Sequence, residues 1–265
     1  MSEPLVLAER HGAALVLRLN RPEAGNAISR GVAEALGAQV RACATDETLR
    51  CVIITGAGER YFCTGGDVKA YAALEAPADL DRVFNIMRDV CDAIEALPCP
   101  VIAAINGYSV GGGSELALAC DLRIAAASAQ IGFPQSRLGI MPGWDGTERL
   151  LRAVGRASAA RLLYSGKRVS AAEALAMRLV DEVAPDGQAL QAALALAATF
   201  AEVAPQSLGA IKRALHEASA AGSLQEAAQA RARARAEFAR LWFTEDHKEA
   251  ERAFAEKRAP VFSGR

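Results

Sequence analysis

The sequence predicts an α/β protein with parallel strands and a C-terminal helical region, and three observations carry that expectation. Val101–Ile105 is short and wholly apolar, the pattern of a strand covered on both faces. Leu15–Leu19, a helical stretch through Val32, Leu36 and Val40, and Cys51–Thr55 follow one another as strand, helix, strand, which is the order of a parallel crossover. From Gly187 onward the chain turns to Ala, Leu, Glu and Arg, all good helix formers. A chain of 265 residues can hold one large core with an appendage. The change of composition places a core over 1–190 and a helical region over 191–265.

The elements follow in order. Leu5 to Asn20 reads as two strands about a turn at Arg10-His11-Gly12, because Leu15, Leu17 and Leu19 alternate with Val16 and Arg18. Arg21–Asn26 carries Pro, Gly and Asn and reads as a loop. Ser29 is placed to cap the next helix. A helix over about 80–97 has Val83, Ile86, Met87, Val90 and Ile94 on one stripe and ends at Pro98 and Pro100. Leu122–Ala125 is a further strand. Gln130–Arg149, with its glycines and prolines, reads as a loop folded against the core. Short helices are expected around 159–164 and 171–177, an extended piece at 180–183, and helices at about 188–203, 206–221, 224–242 and 245–257.

Charge and composition narrow the function classes. Lys plus Arg number 30 and Asp plus Glu 31, so no global basic field points to nucleic acid or a membrane surface. The arginine run over 230–240 has acidic and apolar neighbours, including Phe238, Leu241, Trp242 and Phe243, and reads as an amphipathic packing helix. No apolar run approaches the roughly 20 residues of a membrane span, and Met1-Ser2-Glu3-Pro4 has no secretory pattern; the expected location is the cytoplasm. Cys43, Cys51, Cys63, Cys91, Cys99 and Cys120 are scattered without C-x-x-C spacing and read as reduced core residues, with no metal site expected.

The chemistry concentrates in two glycine turns. Val101–Ile105 runs through Asn106-Gly107 into Gly111-Gly112-Gly113, then into an apolar helix with Glu115 in its first turn. Glycines before a helix leave backbone N–H groups bare and let a ligand approach the backbone closely. Taken alone, Glu115 reads as ordinary complementarity to the helix dipole. The second turn, Thr64-Gly65-Gly66-Asp67 after Tyr61-Phe62-Cys63, follows another buried strand, where ligands gather in open parallel sheets. Two such loops are suited to give two N–H donors to one oxygen, an oxyanion hole. Neither loop fits the dinucleotide or P-loop fingerprints, and no Ser stands in a G-x-S-x-G elbow.

These segments resemble the enoyl-CoA hydratase/isomerase family, the crotonases. The matching stretches are Leu19-Asn20-Arg21-Pro22 with Asn26-Ala27, Phe62 to Lys69, Asn106-Gly107-Tyr108 with Gly111 to Leu116, and Pro142-Gly143 with Gly146 to Leu150. The likeness continues to Phe254–Arg258. It implies a crotonase-like ββα-spiral core with a C-terminal helical trimerisation region, assembled as a homotrimer or homohexamer. It implies acyl-CoA as substrate, with coenzyme A part of the substrate and no separate cofactor. The thioester oxygen would be held by the N–H groups of Gly66 and Gly112. Glu23, Ala24, Gly25, Thr64, Asp67 and Val68 would line the CoA path, and Phe254 and Lys257 would meet its adenine end on a neighbouring subunit.

One departure matters for the reaction. Family hydratases use two glutamates; this chain keeps the first as Glu115 and has Gln135 at the second. An amide orients water but exchanges no proton at neutral pH. Asp145 stands nearby in sequence, either as a displaced acid or as the cap of the helix beginning at Gly146, and Trp144 either shapes the acyl pocket or anchors its loop. The expected function is hydration of an enoyl thioester with Glu115 as main acid/base. Decarboxylation, thioester hydrolysis and plain acyl-CoA binding remain as alternatives, and an isomerase is less suited to Gln135.

Overall fold

The computed structural model describes residues 3–67 and 76–265; Val68 and Lys69 of the second glycine loop lie outside the described residues. β1 (Val6–His11) and β2 (Ala14–Leu19) form the antiparallel pair that their alternation predicts. Past a 3-10 turn at Pro22–Ala24, the Ser29 hydroxyl accepts from the Val32 N–H and caps α1 (Arg30–Cys43). That bond satisfies one of the donors a helix start leaves bare. α1 then leads into β3 (Cys51–Gly56), parallel to β2 as the crossover requires.

From β3 onward the chain repeats one unit: a strand in a first sheet, a strand in a second sheet, and a helix. β3, β4 (Tyr61–Cys63) and α2 (Pro77–Ala96) make the first turn. β5 (Val101–Ile105), β6 (Tyr108–Val110) and α3 (Gly112–Ala119) make the next. β7 (Leu122–Ala126), β8 (Gln130–Gly132) and α4 (Gly146–Ser165) follow. β9 (Arg168–Ser170), α5 (Ala171–Ala176) and β10 (Glu182–Ala184) close both sheets. The first sheet runs β1-β2-β3-β5-β7-β10 and the second β4-β6-β8-β9. This winding is the spiral expected of the core.

The alternation along the central strands explains their all-apolar sequences. Val52, Ile54, Val101, Ala103 and Ile105 belong to one buried cluster with Val32, Leu36, Val90 and Ile94 of α1 and α2. Cys51, Ile53, Ile102, Ala104 and Ile124 belong to the other, beneath Ala193 and Ala197 of α6 (Ala189–Phe200). Both faces are therefore covered, and the strands are apolar on both, apart from Thr55 and Arg123, whose side chains bond backbone carbonyls. Because α6 closes the second face, the helices that stand away from the sheet begin with α7 (Pro205–Ala220). All six cysteines are buried and unpaired, as small core residues.

Two expectations need correction. Gln130–Arg149 is not only a loop: it contains β8, a 3-10 turn at Pro134–Leu138 and the start of α4. β8 exists because β6 and β9 flank it, and three residues are too few for a period to show in the sequence. The short helix expected at 159–164 is the second half of α4, which Gly155 breaks with φ 71° and ψ 167°. The arginine-rich helix, α8 (Leu224–Trp242), packs on α7 through Arg213–Glu237 and Arg233–Glu217 pairs at 2.9 and 2.7 Å. Its aromatic residues, however, stay largely exposed, Phe238 at 63%. α9 (Glu245–Glu256) completes the helical region. No single described helix is long and apolar enough to cross a membrane.

Candidate active site

Two asparagines, the buried Asn26 and the half-buried Asn106, set the Thr64–Asp67 glycine loop in place. Asn26 Nδ2 donates to the carbonyls of Ala57 and Tyr61 at 3.0 and 2.7 Å. Asn106 Nδ2 donates to Gly58 O at 2.7 Å, and its Oδ1 accepts from the Gly56 N–H at 3.2 Å. Both asparagines thus hold the β3–β4 turn that delivers β4 and the glycines after it. Gly65 then takes φ +93°, where a side chain is strained, and a Cβ there would lie 2.9 Å from the Gly112 nitrogen.

The two loops touch through glycine backbone. A Cβ on Gly113 would lie 2.1 Å from the Cys63 carbonyl oxygen, so only glycine lets the start of α3 pack against β4. Ile28 and Gly66 form a parallel bridge in which the Ile28 N–H donates to Gly65 O and the Asp67 N–H to Ile28 O. That pattern leaves the Gly66 N–H facing away from the bridge. Among the described residues neither Gly66 N–H nor Gly112 N–H has a hydrogen-bond acceptor. Both residues are partly exposed. The sequence brought these glycines to notice, and the structure brings their loops into contact.

Glu115 sits beside them, 2% exposed. Its carboxylate does not serve its own helix; it caps another. Oε2 accepts from the N–H groups of Trp144 and Gly146 at 2.8 and 3.0 Å, and Oε1 accepts from Gln135 Nε2 at 2.9 Å and Gly143 N–H at 3.3 Å. A Cβ on Gly146 would lie 2.4 Å from Glu115 Cγ, so glycine there makes room for the carboxylate. Burial pushes the Glu115 carboxyl above its ordinary value, and the N–H donors from Trp144, Gly146, Gly143 and Gln135 pull against that rise without cancelling it.

Gln135, on the 3-10 turn after β8, is 7% exposed. Its Nε2 is committed to Glu115, and its Oε1 is buried with no partner. A buried acceptor left empty typically costs about 1–3 kcal/mol, so this oxygen is a ready acceptor for a water or a hydroxyl. Trp144 is 2% exposed, and its indole lies on Gly112: a Cβ on that glycine would meet Cζ3 at 2.4 Å. It anchors its loop and borders Gly112 at once.

Asp145 departs from the capping alternative. It occupies the N-cap position of α4 with φ 60°, is exposed, and makes no side-chain capping bond. The physical reason is its left-handed backbone, φ 60° and ψ 23°, in place of the extended conformation from which a capping side chain reaches the second or third N–H of the helix. Among the residues expected to line CoA, Gly25 and Thr64 meet directly: Thr64 N–H and Oγ1 both donate to Gly25 O, at 3.1 and 3.2 Å. Glu23 and Ala24 form the adjoining 3-10 turn, and Asp67 pairs with Arg21 at 3.3 Å. Phe254 and Lys257 are exposed at the end of α9 and are not gathered at these loops within the chain.

Sequence reasoning missed the residues that hold the Glu115 clamp from outside. Arg149 is 5% exposed; its Nη1 donates to Trp144 O at 2.7 Å, and its Nη2 to Asp92 and Glu95 at 2.7 and 2.8 Å. Arg88 Nε donates to Gly143 O at 2.9 Å. The available signal for Arg149 is a cation at the fourth position of a helix, followed by apolar Leu150 and Leu151. Arg88 gives none, because an arginine on an amphipathic helix reads as a solvated charge.

Comparison with known proteins identifies the fold and the family. Residues 9–265 match the model of the enoyl-CoA hydratase/isomerase family. The chain is 41% identical to a Bacillus subtilis protein named probable enoyl-CoA hydratase, over 94% of this chain and 95% of the relative. It is 39% identical to the 2,3-dehydroadipyl-CoA hydratase of Escherichia coli, with all of both chains covered. The crystal structure of an enoyl-CoA hydratase from Bacillus anthracis superposes with a TM-score of 0.92 at 35% identity, covering 98% of this chain and 100% of that one. The spiral described above is thus the crotonase fold, and the chain belongs to the enoyl-CoA hydratase/isomerase family of enzymes.

Proposed function

We propose that the protein adds water reversibly across the conjugated double bond of an enoyl-CoA thioester. The N–H groups of Gly66 and Gly112 receive the thioester oxygen, and Glu115 moves the proton. The carrying observation is the contact of two glycine loops with unpartnered N–H groups beside a buried carboxylate. As water attacks C3, the C2=C3 electron pair moves toward the thioester and negative charge grows on its oxygen, where preorganised donors stabilise it. The proton released by the water passes to Glu115 and from Glu115 to C2. Gln135 accepts a hydrogen bond from the water through its free Oε1 and exchanges no proton. Coenzyme A is part of the substrate, and the reaction needs no other cofactor. Trp144 limits the acyl side. The exposed Phe238, Phe243 and Phe254 of the helical region support assembly as a homotrimer or homohexamer.

The test is hydration of crotonyl-CoA as a function of pH. The base must be ionised to accept a proton, so activity rises with pH through the Glu115 ionisation. Because burial raises that ionisation, the acid limb is expected above the ordinary glutamate range, as a single ionisation. Gln135→Glu puts a second carboxyl at the 2.9 Å contact with Glu115. Two carboxyls so close cannot both ionise easily, and the profile of that variant should show two separated steps.

One observation favours a second reading. Glu115 already accepts four N–H bonds, which fills the lone pairs of a carboxylate. Loss of carbon dioxide from a malonyl-type thioester forms the same enolate without a base. Turnover of such a thioester by a protein inert toward enoyl thioesters would establish decarboxylation in place of hydration.

A further inference from the structure

One face of α2 grips the loop that clamps Glu115. Phe84, Arg88, Asp92 and Glu95 are spaced four, four and three residues apart, so they share one stripe of the helix. The Phe84 ring closes on Gly143, where a Cβ would lie 2.6 Å from it. Arg88 takes the Gly143 carbonyl at 2.9 Å, and Asp92 and Glu95 hold Arg149 on the Trp144 carbonyl. The carbonyls of this loop therefore face cations of the α2–α4 seam, while its N–H groups face a carboxylate.

The Gly143 carbonyl and the Trp144 N–H belong to the same peptide unit. Arg88 donates to its oxygen at 2.9 Å, and its nitrogen donates to Glu115 Oε2 at 2.8 Å. A cation and an anion thus face each other through one peptide plane. A positive charge on the carbonyl polarises the unit and strengthens its N–H as a donor, because linked hydrogen bonds reinforce one another in a low-dielectric setting. We propose that Arg88 is a positioning residue for Glu115, holding the Gly143–Trp144 peptide and transmitting its charge through it to the carboxylate. This rests on the reading of Glu115 as the group that moves the proton.

The other groups around Glu115 leave Arg88 this role. Arg149 is held by Asp92 and Glu95, and its charge is answered there. Cys91 of α2 is buried, and burial pushes its thiol far up, so it stays neutral. Burial likewise pushes the Cys63 thiol of β4 up to about 12. Gln135 carries no charge, and Asp145 is exposed. Arg88 bonds the loop with Nε, while its Nη1 rests on Asn85 Oδ1 at 2.8 Å and lies 3.8 Å from Asp81. Its side chain is 35% exposed, so its removal opens no buried cavity.

The test reads the Glu115 carboxyl directly. Protein labelled with carboxyl-13C glutamate is titrated by infrared spectroscopy, and the Glu115 band is identified by its loss in Glu115→Gln. Arg88→Met is expected to raise the Glu115 midpoint by about one unit, since a nearby cation favours the charged form. Arg88→Lys, which keeps the charge and loses the planar fork, should fall between Met and the parent. In the crotonyl-CoA assay the acid limb should move up with the midpoint, with kcat falling more than KM rises. An unmoved midpoint in folded Arg88→Met overturns the proposal. Should that variant fail to fold, Arg88→Gln, a neutral donor, carries the same expectation. Because the infrared midpoint needs no turnover, it decides the role of Arg88 even for a protein that hydrates nothing.

Discussion

Glu115→Gln is expected to remove turnover while leaving the fold intact, and Glu115→Ala to weaken the fold itself. The difference follows from who can still accept the loop's N–H groups. In the Gln variant the amide oxygen keeps the Trp144 and Gly146 N–H groups, which now meet Glu115 Oε2. The new NH2 points toward Gln135, whose amide turns over and presents its Oε1, an atom without a partner in the parent. The Gly143 N–H, whose bond is the longest of the four at 3.3 Å, loses its acceptor, and the turned Gln135 NH2 takes the buried place where Oε1 had no partner, exchanging one unmet polar group for another. Stability should therefore change little, whereas loss of the proton carrier should lower kcat by about a hundred- to ten-thousand-fold.

In Glu115→Ala no side-chain acceptor remains. Buried donors left without partners cost about 1–3 kcal/mol each, and the space left by the side chain adds a cavity term. Part of this is offset by removing a carboxylate that burial disfavours. The net loss should be on the order of 2–4 kcal/mol, read from urea midpoints of the two variants against the parent. The pH dependence has a definite sign. A raised carboxyl binds its proton more tightly folded than unfolded, so its contribution is fullest in acid and is lost as pH rises through the folded value. The parent should therefore lose stability relative to Glu115→Gln on going from acid toward neutral pH. Turnover by the Gln variant equal to that of the parent would take Glu115 out of the proton path.

What the sequence disclosed, and what it hid, divides along a physical line. Strands buried on both faces declare themselves, because every position of Val101–Ile105 must be apolar when helices cover both sides. Glycines forced by close approach are equally visible: Gly113 lies against the Cys63 carbonyl and Gly146 against the Glu115 side chain. Short strands such as β8 are not legible, since their pairing is decided by neighbours far along the chain. The acceptor role of Glu115 toward α4 was hidden for the same reason: 31 residues separate it from Gly146. Arg88 and Arg149 act on backbone carbonyls, and a carbonyl leaves no trace in residue identity.

Gly113→Ala should separate the two glycine loops and cost activity out of proportion to its size. The added Cβ would stand 2.1 Å from the Cys63 carbonyl oxygen and 2.7 Å from its carbon. Both are backbone atoms of β4, and β4 is paired to β6, so neither can step aside as a side chain does. Relief comes from moving the start of α3 away from β4 by about an ångström, to reach ordinary contact. Gly112 lies on that moving turn, and the proposed convergence of its N–H with that of Gly66 on one oxygen is then lost. Losing one oxyanion donor costs about a hundred- to a thousand-fold in kcat, and Glu115 rides on the same turn. Gly222→Ala is the control: its Cβ would find nothing nearer than the Glu226 carboxylate at 3.5 Å, and it lies outside both loops. Crotonyl-CoA hydration by both variants, with thermal melts showing each folded at the assay temperature, decides the matter. A folded Gly113→Ala protein with parental kcat would mean that the convergence of the two N–H groups is not what stabilises the transition state.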